Sequence, residues 1–235
     1  MKSFLILSAT AGAGHVRAAE ALVETVQALS IPVTVQLEDV LNYTFPIFKK
    51  IYSKIQFAIT DASPELWGYL YKKTEFKGAS KNTSVLTKLF NHFNYKDYFK
   101  LLETVQPDAM ICTHFLPYAA IAEELQKPTW HIPVFSVTTD YDLHSLWVNP
   151  SVKCFYVASD QAAWTLQGHG ISSERTVVTG IPVLPQFTAI EDRQAARRDL
   201  GLSSDLFTIL ILSGGYGIGV IDELVPSVEE FLSSY

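Results

Sequence analysis

The stretch Phe4-Leu5-Ile6-Leu7-Ser8-Ala9-Thr10-Ala11-Gly12-Ala13-Gly14-His15 sets four unbroken apolar residues ahead of a turn made of small ones. An apolar run without polar alternation marks a strand buried on both faces, as in a parallel sheet. Val16, Ala19, Leu22, Val23, Val26 and Leu29 then recur at spacings of three and four, which predicts an amphipathic helix over His15–Leu29. Strand, small-residue turn and helix in that order open an α/β sheet. The turn falls at the carboxyl end of the strand, where such sheets bind ligands.

Outward from this unit the alternation repeats. Val33–Val40 after Pro32, Ala109–Thr113, Val134–Thr138, Cys154–Ala158 and Arg175–Thr179 read as strands. Helices are expected near Val85–Val105, from Pro117 in a first turn, and over Asp160–Gly168. The fold predicted is a Rossmann-like, doubly wound parallel α/β sheet. Gly180-Ile181-Pro182 and Pro185 interrupt the series, and a charged helical connector follows over Ile190–Leu200. Phe207–Leu212, Ser213-Gly214-Gly215 and Val220–Ser233 then repeat the strand, turn and helix. The expected organisation is a first domain over 1–188, a connector over 189–203, and a further unit over 204–235. Roughly 30 residues are too few for an independent doubly wound domain, so this last unit either packs on the first domain or begins a truncated second one.

With 235 residues, 48% hydrophobic and 18% charged, the chain has the material for a core, which excludes intrinsic disorder. Cys112 and Cys154 lie far apart, and no Cys/His pair has zinc-ligand spacing. A disulfide framework is excluded, no metal is expected, and a reduced, intracellular setting is the default. No apolar run approaches the roughly 18–20 residues that span a bilayer. The first run, cut off by Gly12-Ala13-Gly14-His15, is also too short for a secretory signal.

The net charge of −6 argues against a general nucleic-acid binder. That average hides an asymmetry: between Phe45 and Lys100 there are ten lysines against four acids, and thirteen of the chain's 29 aromatic residues. Lysines interleaved with Phe48, Tyr52 and Trp67 suit a surface lying on anionic lipid, with Lys49 and Lys50 attracting headgroup phosphates. The same composition also suits helices whose aromatics face a core while the lysines are solvated. Nucleic acid is a third reading, disfavoured because the segment has no Arg.

Three places can carry chemistry. The first turn is not a dinucleotide fingerprint, since Arg17 stands where the third glycine belongs, nor is it a Gly-Lys-Ser/Thr phosphate loop. Gly12 and Gly14 let an anion or sugar approach the backbone at a helix start. His15 sits where the helix dipole opposes a positive ring, which lowers its pKa and leaves it neutral, as a general base must be. In the second place, Thr139-Asp140-Tyr141-Asp142-Leu143-His144-Ser145-Leu146-Trp147 leaves another strand at the same sheet end. There Asp140 can orient or charge-stabilise a histidine, and His144 and Trp147 can line a sugar or lipid pocket. Both stretches are equally consistent with ordinary turn and cap residues. Ser213-Gly214-Gly215 is the third place, a second phosphate-cradling turn. His92, His114, His131 and His169 are scattered and read as structural.

Gly12-Ala13-Gly14-His15, Thr139-Asp140 through His144 to Trp147, Tyr156-Val157-Ala158-Ser159-Asp160, and Thr179-Gly180-Ile181-Pro182-Val183 through Phe187 stand together in one order and spacing. In this they resemble the monogalactosyldiacylglycerol synthases and processive diacylglycerol glucosyltransferases, relatives of the glycosyltransferase that makes the lipid-linked peptidoglycan precursor. The resemblance covers almost the whole chain. It implies a GT-B fold, two Rossmann-like domains facing across a cleft, of which residues 1–188 are the membrane-touching acceptor domain.

The resemblance further implies inverting transfer of a hexose from a UDP-sugar to diacylglycerol, with His15 as base and no cofactor. Asp140 would assist, and the acceptor lipid would meet His144, Trp147 and the Lys49, Lys50, Phe48, Tyr52 and Trp67 region. Donor phosphate would meet Gly12, Gly14, Ser213, Gly214 and Gly215. The implied location is peripheral, on the cytoplasmic face of the membrane and against anionic lipids. Ala11 replaces the first glycine of the family's turn, and the later donor-domain strands do not follow Ser213-Gly214-Gly215 here, so the chain alone is expected to be inactive. The alternatives are a non-catalytic peripheral membrane module, a peptidoglycan glycosyltransferase and a nucleotide-sugar epimerase.

Overall fold

The computed structural model describes residues 1–10, 12–50, 52, 94–188, 192–212 and 221–233. By internal packing the chain divides into two units, Met1–Thr188 and Ala189–Tyr235.

In the first unit β1 (Lys2–Ser8), α1 (Ala13–Ala28), β2 (Val33–Asp39), α2 (Lys96–Val105), β3 (Ala109–Cys112) and α3 (Leu116–Ala120) lead into the second half. That half comprises β4 (Val134–Val137), β5 (Cys154–Val157), α4 (Asp160–Gly168) and β6 (Thr176–Val178). The six strands are parallel, in the order β2-β1-β3-β4-β5-β6. From β1 the chain first crosses to β2 on one side and afterwards moves steadily to the other. Right-handed crossovers therefore put α1 on one face of the sheet and the later helices on the opposite face.

Register assigns the side chains. Leu5, Leu7, Met110, Cys112, Val134, Phe155 and Val157 share the face under the later helices. With Tyr98 and Leu102 of α2, Tyr118 of α3, and Ala162 and Leu166 of α4 they form one core. The other face is covered at β1 and β2 by α1. Further along, Phe4, Ile111, Phe135 and Tyr156 remain half-buried and line a groove of about 610 Å³ rimmed by Lys2, Asp108 and Lys153.

The second unit contains α5 (Arg193–Asp199) and α6 (Ile221–Ser233). Buried Arg197 donates to the carbonyls of Ser203 and Leu206 and to Thr208 Oγ1, which gathers the segment after α5 around one guanidinium. Phe207–Leu212, expected as a strand, joins no ladder, and Phe207, Leu210 and Leu212 are exposed. Strand geometry needs a neighbour for its N–H and C=O groups, and the described residues of this unit supply none.

Candidate active site

β1 sits where the strand order reverses, with β2 on one side and β3 on the other, and ligands of open α/β sheets bind at such a point. The segments that leave the carboxyl ends of β1, β3 and β4 meet there. The first brings His15, on the first turn of α1. The second brings Thr113 and His114, and the third brings Thr139 and Asp140.

Thr113 grips His15 twice. Its carbonyl lies 3.1 Å from His15 Nδ1, and its hydroxyl donates to the His15 carbonyl at 2.9 Å. A carbonyl oxygen can only accept, so Nδ1 carries the proton of the neutral ring. Thr139 Oγ1 stands 2.6 Å from the same nitrogen. That leaves Nε2 as the acceptor nitrogen of the neutral ring, and it lies on the side of Gly12, 4.0 Å from where a Cβ on that glycine would stand. Burial holds the His15 pKa below 6.5, opposed by the Asp140 carboxylate and by the Thr113 carbonyl. The direction agrees with that expected from the helix start, but burial, rather than the dipole, is the leading cause.

Asp140 does not orient the ring by a direct bond. Its Oδ2 accepts from the Trp147 indole Nε1 at 3.0 Å, and the carboxylate acts on His15 through space. Of the two roles expected of Asp140, orienting the ring falls to Thr113 and Thr139, while stabilisation by charge agrees with its carboxylate raising the His15 pKa. Trp147 also differs from expectation: it is 1% exposed and forms floor beneath His15 and His114, with no open surface for an acceptor. Its carbonyl is fixed by the Tyr118 hydroxyl at 2.9 Å. His144 caps the short turn Ser145–Trp147 by accepting the Leu146 N–H, and so holds the loop that carries Trp147.

The first turn is tied down at its start. The Thr10 N–H and hydroxyl both bond Asp39, at the end of β2. Gly12 is extended (φ 172°) and heads α1 without a side-chain cap; nothing lies within 4 Å of a Cβ placed on Gly14. A Cβ on Gly12 would instead touch the His15 ring, at 3.6 Å from Cδ2, so the open space at the helix start lies at Gly14. Ser213, Gly214 and Gly215 lie outside the described residues, as do Ala11 and Trp67.

Phe48 and Tyr52 do not form an outward-facing lipid surface. Spaced four apart, they stack at 5.7 Å on one face of a helical stretch and pack inward, Phe48 against Tyr95 at 6.0 Å and Tyr52 against His114 at 6.3 Å. Among the described residues of this stretch, Phe45 and Ile47 are the exposed large apolar ones. Lys49 donates to Asn42, and Lys50 is exposed.

Thr113 and His114 are the site residues missing from the sequence reading, and Thr139 was in a quoted stretch without a role. His114, read as structural, lies with its ring 4.5 Å from that of His15. Its one sequence signal is that it follows the end of a strand, as Thr139 and Asp140 do. Among the described residues no three His, Cys, Asp or Glu side chains gather as a metal site, and no helix is long and apolar enough to cross a membrane.

Comparison with known proteins gives processive diacylglycerol beta-glucosyltransferases among the relatives of this chain. The chain is 27% identical over 217 residues to a processive diacylglycerol beta-glucosyltransferase of Bacillus pumilus (strain SAFR-032), a match covering 92% of this chain and 55% of that protein. It is 28% identical over 224 residues to one of Bacillus cytotoxicus, covering 95% and 56%. To one of Bacillus subtilis (strain 168) it is 27% identical over 225 residues, covering 92% and 55%. The chain thus spans about half the length of the curated relatives it matches. Among solved structures, the lipopolysaccharide outer core galactosyltransferase WaaB superposes with a TM-score of 0.43 at 16% identity, over 76% of this chain and 45% of that one. A UDP-GlcNAc 2-epimerase from Neisseria meningitidis gives 0.43 at 12%, over 77% and 46%. Neither lends weight to an activity. The sequence profile described as monogalactosyldiacylglycerol (MGDG) synthase matches residues 15–183, from the histidine of the first turn to beyond β6, and the chain belongs to that family.

Proposed function

We propose that this chain is the acceptor-binding part of a glycosyltransferase that moves a hexose from a UDP-sugar to diacylglycerol with inversion, without a cofactor. The observation that carries the reading is His15 at the strand-order reversal. Its Nδ1–H is committed to Thr113, and its Nε2 lies beside Gly12 of the glycine turn. In the step proposed, the acceptor hydroxyl gives its proton to Nε2 while its oxygen bonds to the anomeric carbon. The bond from that carbon to the diphosphate breaks, and UDP leaves as the anion. Asp140 then faces the imidazolium, and the turn at Gly12 and Gly14 offers N–H groups to an anion.

The membrane part of the proposal is peripheral attachment at the cytoplasmic face. Phe45 and Ile47 would enter the headgroup boundary, and Lys49 and Lys50 would attract anionic lipid. Sedimentation with vesicles reads it: binding to anionic vesicles that salt weakens supports the attachment, and equal recovery with neutral and anionic vesicles removes its electrostatic half.

The transfer itself is tested with the chain alone and joined to the part of the Bacillus subtilis relative outside the match. Each form is incubated with UDP-glucose or UDP-galactose and diacylglycerol vesicles, and lipid products are separated. A glycolipid from the joined form is expected, and no glycolipid from any combination overturns the reading.

A further inference from the structure

His114 takes no part in the proton transfer above, yet it is a buried titratable group beside it, 1% exposed and next in sequence to the residue that grips His15. Burying an imidazole costs free energy unless its nitrogens find partners. Here Nδ1 accepts the N–H of Leu116 at 2.9 Å. A nitrogen that accepts carries no proton, so the neutral ring bears its hydrogen on Nε2. The partner is chosen for rigidity: Leu116 opens α3, and the N–H groups of a first helical turn have no carbonyl of their own to bond.

Around this anchored ring stand four others. His15 is 4.5 Å away at 83°, edge to face, Phe115 4.3 Å at 31°, Trp147 6.1 Å at 48° and Tyr52 6.3 Å at 74°. His15 is therefore held at one nitrogen by Thr113 and Thr139 and along its ring by His114. The hydrogen bonds fix where Nδ1 lies but leave the ring free to tilt about them, and the edge-to-face contact removes that tilt.

We propose that His114 is a positioning residue for His15: its neutral ring, pinned by the Leu116 N–H, sets the plane of the His15 imidazole and keeps water from that side of it. The consequence for rate rests on the reading of His15 as base; the placement of the two rings does not. Among the described residues the other titratable groups facing the pair are Asp140, after β4, whose carboxylate raises the His15 pKa, and Tyr52, whose hydroxyl burial holds protonated far above its ordinary range. Burial and then the neighbouring His15 hold His114 well below 6.5, so it stays neutral when His15 takes a proton.

Two variants separate placement from capping. His114→Asn keeps an acceptor for the Leu116 N–H but removes the ring; His114→Phe keeps a ring of similar bulk but removes the acceptor. The readout is the titration of the His15 imidazole nitrogens by NMR in the 235-residue chain, with thermal melting beside it. In His114→Asn water reaches His15, and its midpoint is expected to rise by about half a pH unit or more. In His114→Phe the midpoint stays with wild type while the melting temperature falls. An unchanged midpoint in folded His114→Asn, or a midpoint in His114→Phe that moves toward 6.5, overturns the proposal; if His114→Asn does not fold, His114→Phe alone decides. In a form that makes glycolipid, His114→Asn should lower kcat about ten- to a hundredfold with KM nearly unchanged. Failure of the transferase reading shows as no glycolipid from wild type with the titration shift intact. Failure of the placement shows as glycolipid made and no shift.

Discussion

Phe4–Leu7 is an unbroken apolar run and Phe207–Leu212 is one interrupted only by Thr208, and the two are held differently. Leu5 and Leu7 lie fully buried in a strand flanked by β2 and β3, whereas Leu210 and Leu212 are 77% and 78% exposed outside any ladder. An apolar run can only offer itself to a sheet. Neighbouring strands satisfy its backbone, and helices on the faces take its side chains. The first run has both and so presents the turn after it as a rigid site. Among the described residues of its own unit, the second run has neither.

The sharpest way to break the contrast is at the first turn. In a form active in sugar transfer, His15→Ala should cut turnover roughly 10²- to 10⁴-fold, as loss of a positioned base does, with UDP-sugar binding nearly unchanged. A variant within threefold of wild type by steady-state rate ends the assignment. The next pair compares the runs themselves. Leu5→Ala should cost about 2–5 kcal/mol through lost burial and the cavity left behind, and Leu210→Ala no more than about 0.5 kcal/mol. Urea melts of the two variants read both, and similar costs would show that the second run is packed after all.

Smaller again is the effect of acid. The pKa values of His15 and His114 are both lowered in the folded chain, so below about 6.5 the unfolded chain binds more protons. Their share of stability is complete above that pH and is lost as the pH falls from there through their folded values. Melting temperatures between pH 7.5 and 5 should fall, with a shallower slope in His114→Asn; parallel slopes would remove His114 from the account. Last comes the tie at the start of the turn. Asp39→Ala should cost about 1–2 kcal/mol, because Asp39 caps the turn after β2 as well as bonding Thr10. A melt within error of wild type would show that the turn holds itself.

The strands of the first unit were legible because they are short apolar runs, or in β2 an apolar-polar alternation, bounded by Pro, Gly or polar residues, and His15 was legible from its place on a helix after small residues. The clamp was not legible. Thr113 and His15 are separated by 98 residues and Thr139 and His15 by 124, and only the strand order shows that β3, rather than β2, β5 or β6, brings its end to His15. Phe48 and Tyr52 had the composition of a lipid-facing surface because composition does not say which way a helix turns; Tyr95 and His114 decide it. Trp147 was placed at a pocket wall because its loop sits at the right sheet end. The partners that bury it, Asp140 and Tyr118, were invisible until the chain was folded.

On the proposed reading of His15 as base, the double grip of Thr113 would act at the moment after the proton arrives. An imidazolium formed in water must wait for solvent to turn its dipoles toward both N–H groups, and that turning is part of the barrier. In this chain the carbonyl that solvates the Nδ1–H is already in place, and the Thr113 hydroxyl locks the His15 backbone beneath it. The protein has rotated that half of the ion's solvent shell in advance, at the time of folding, so that only the newly protonated Nε2 has any reorganising left to do.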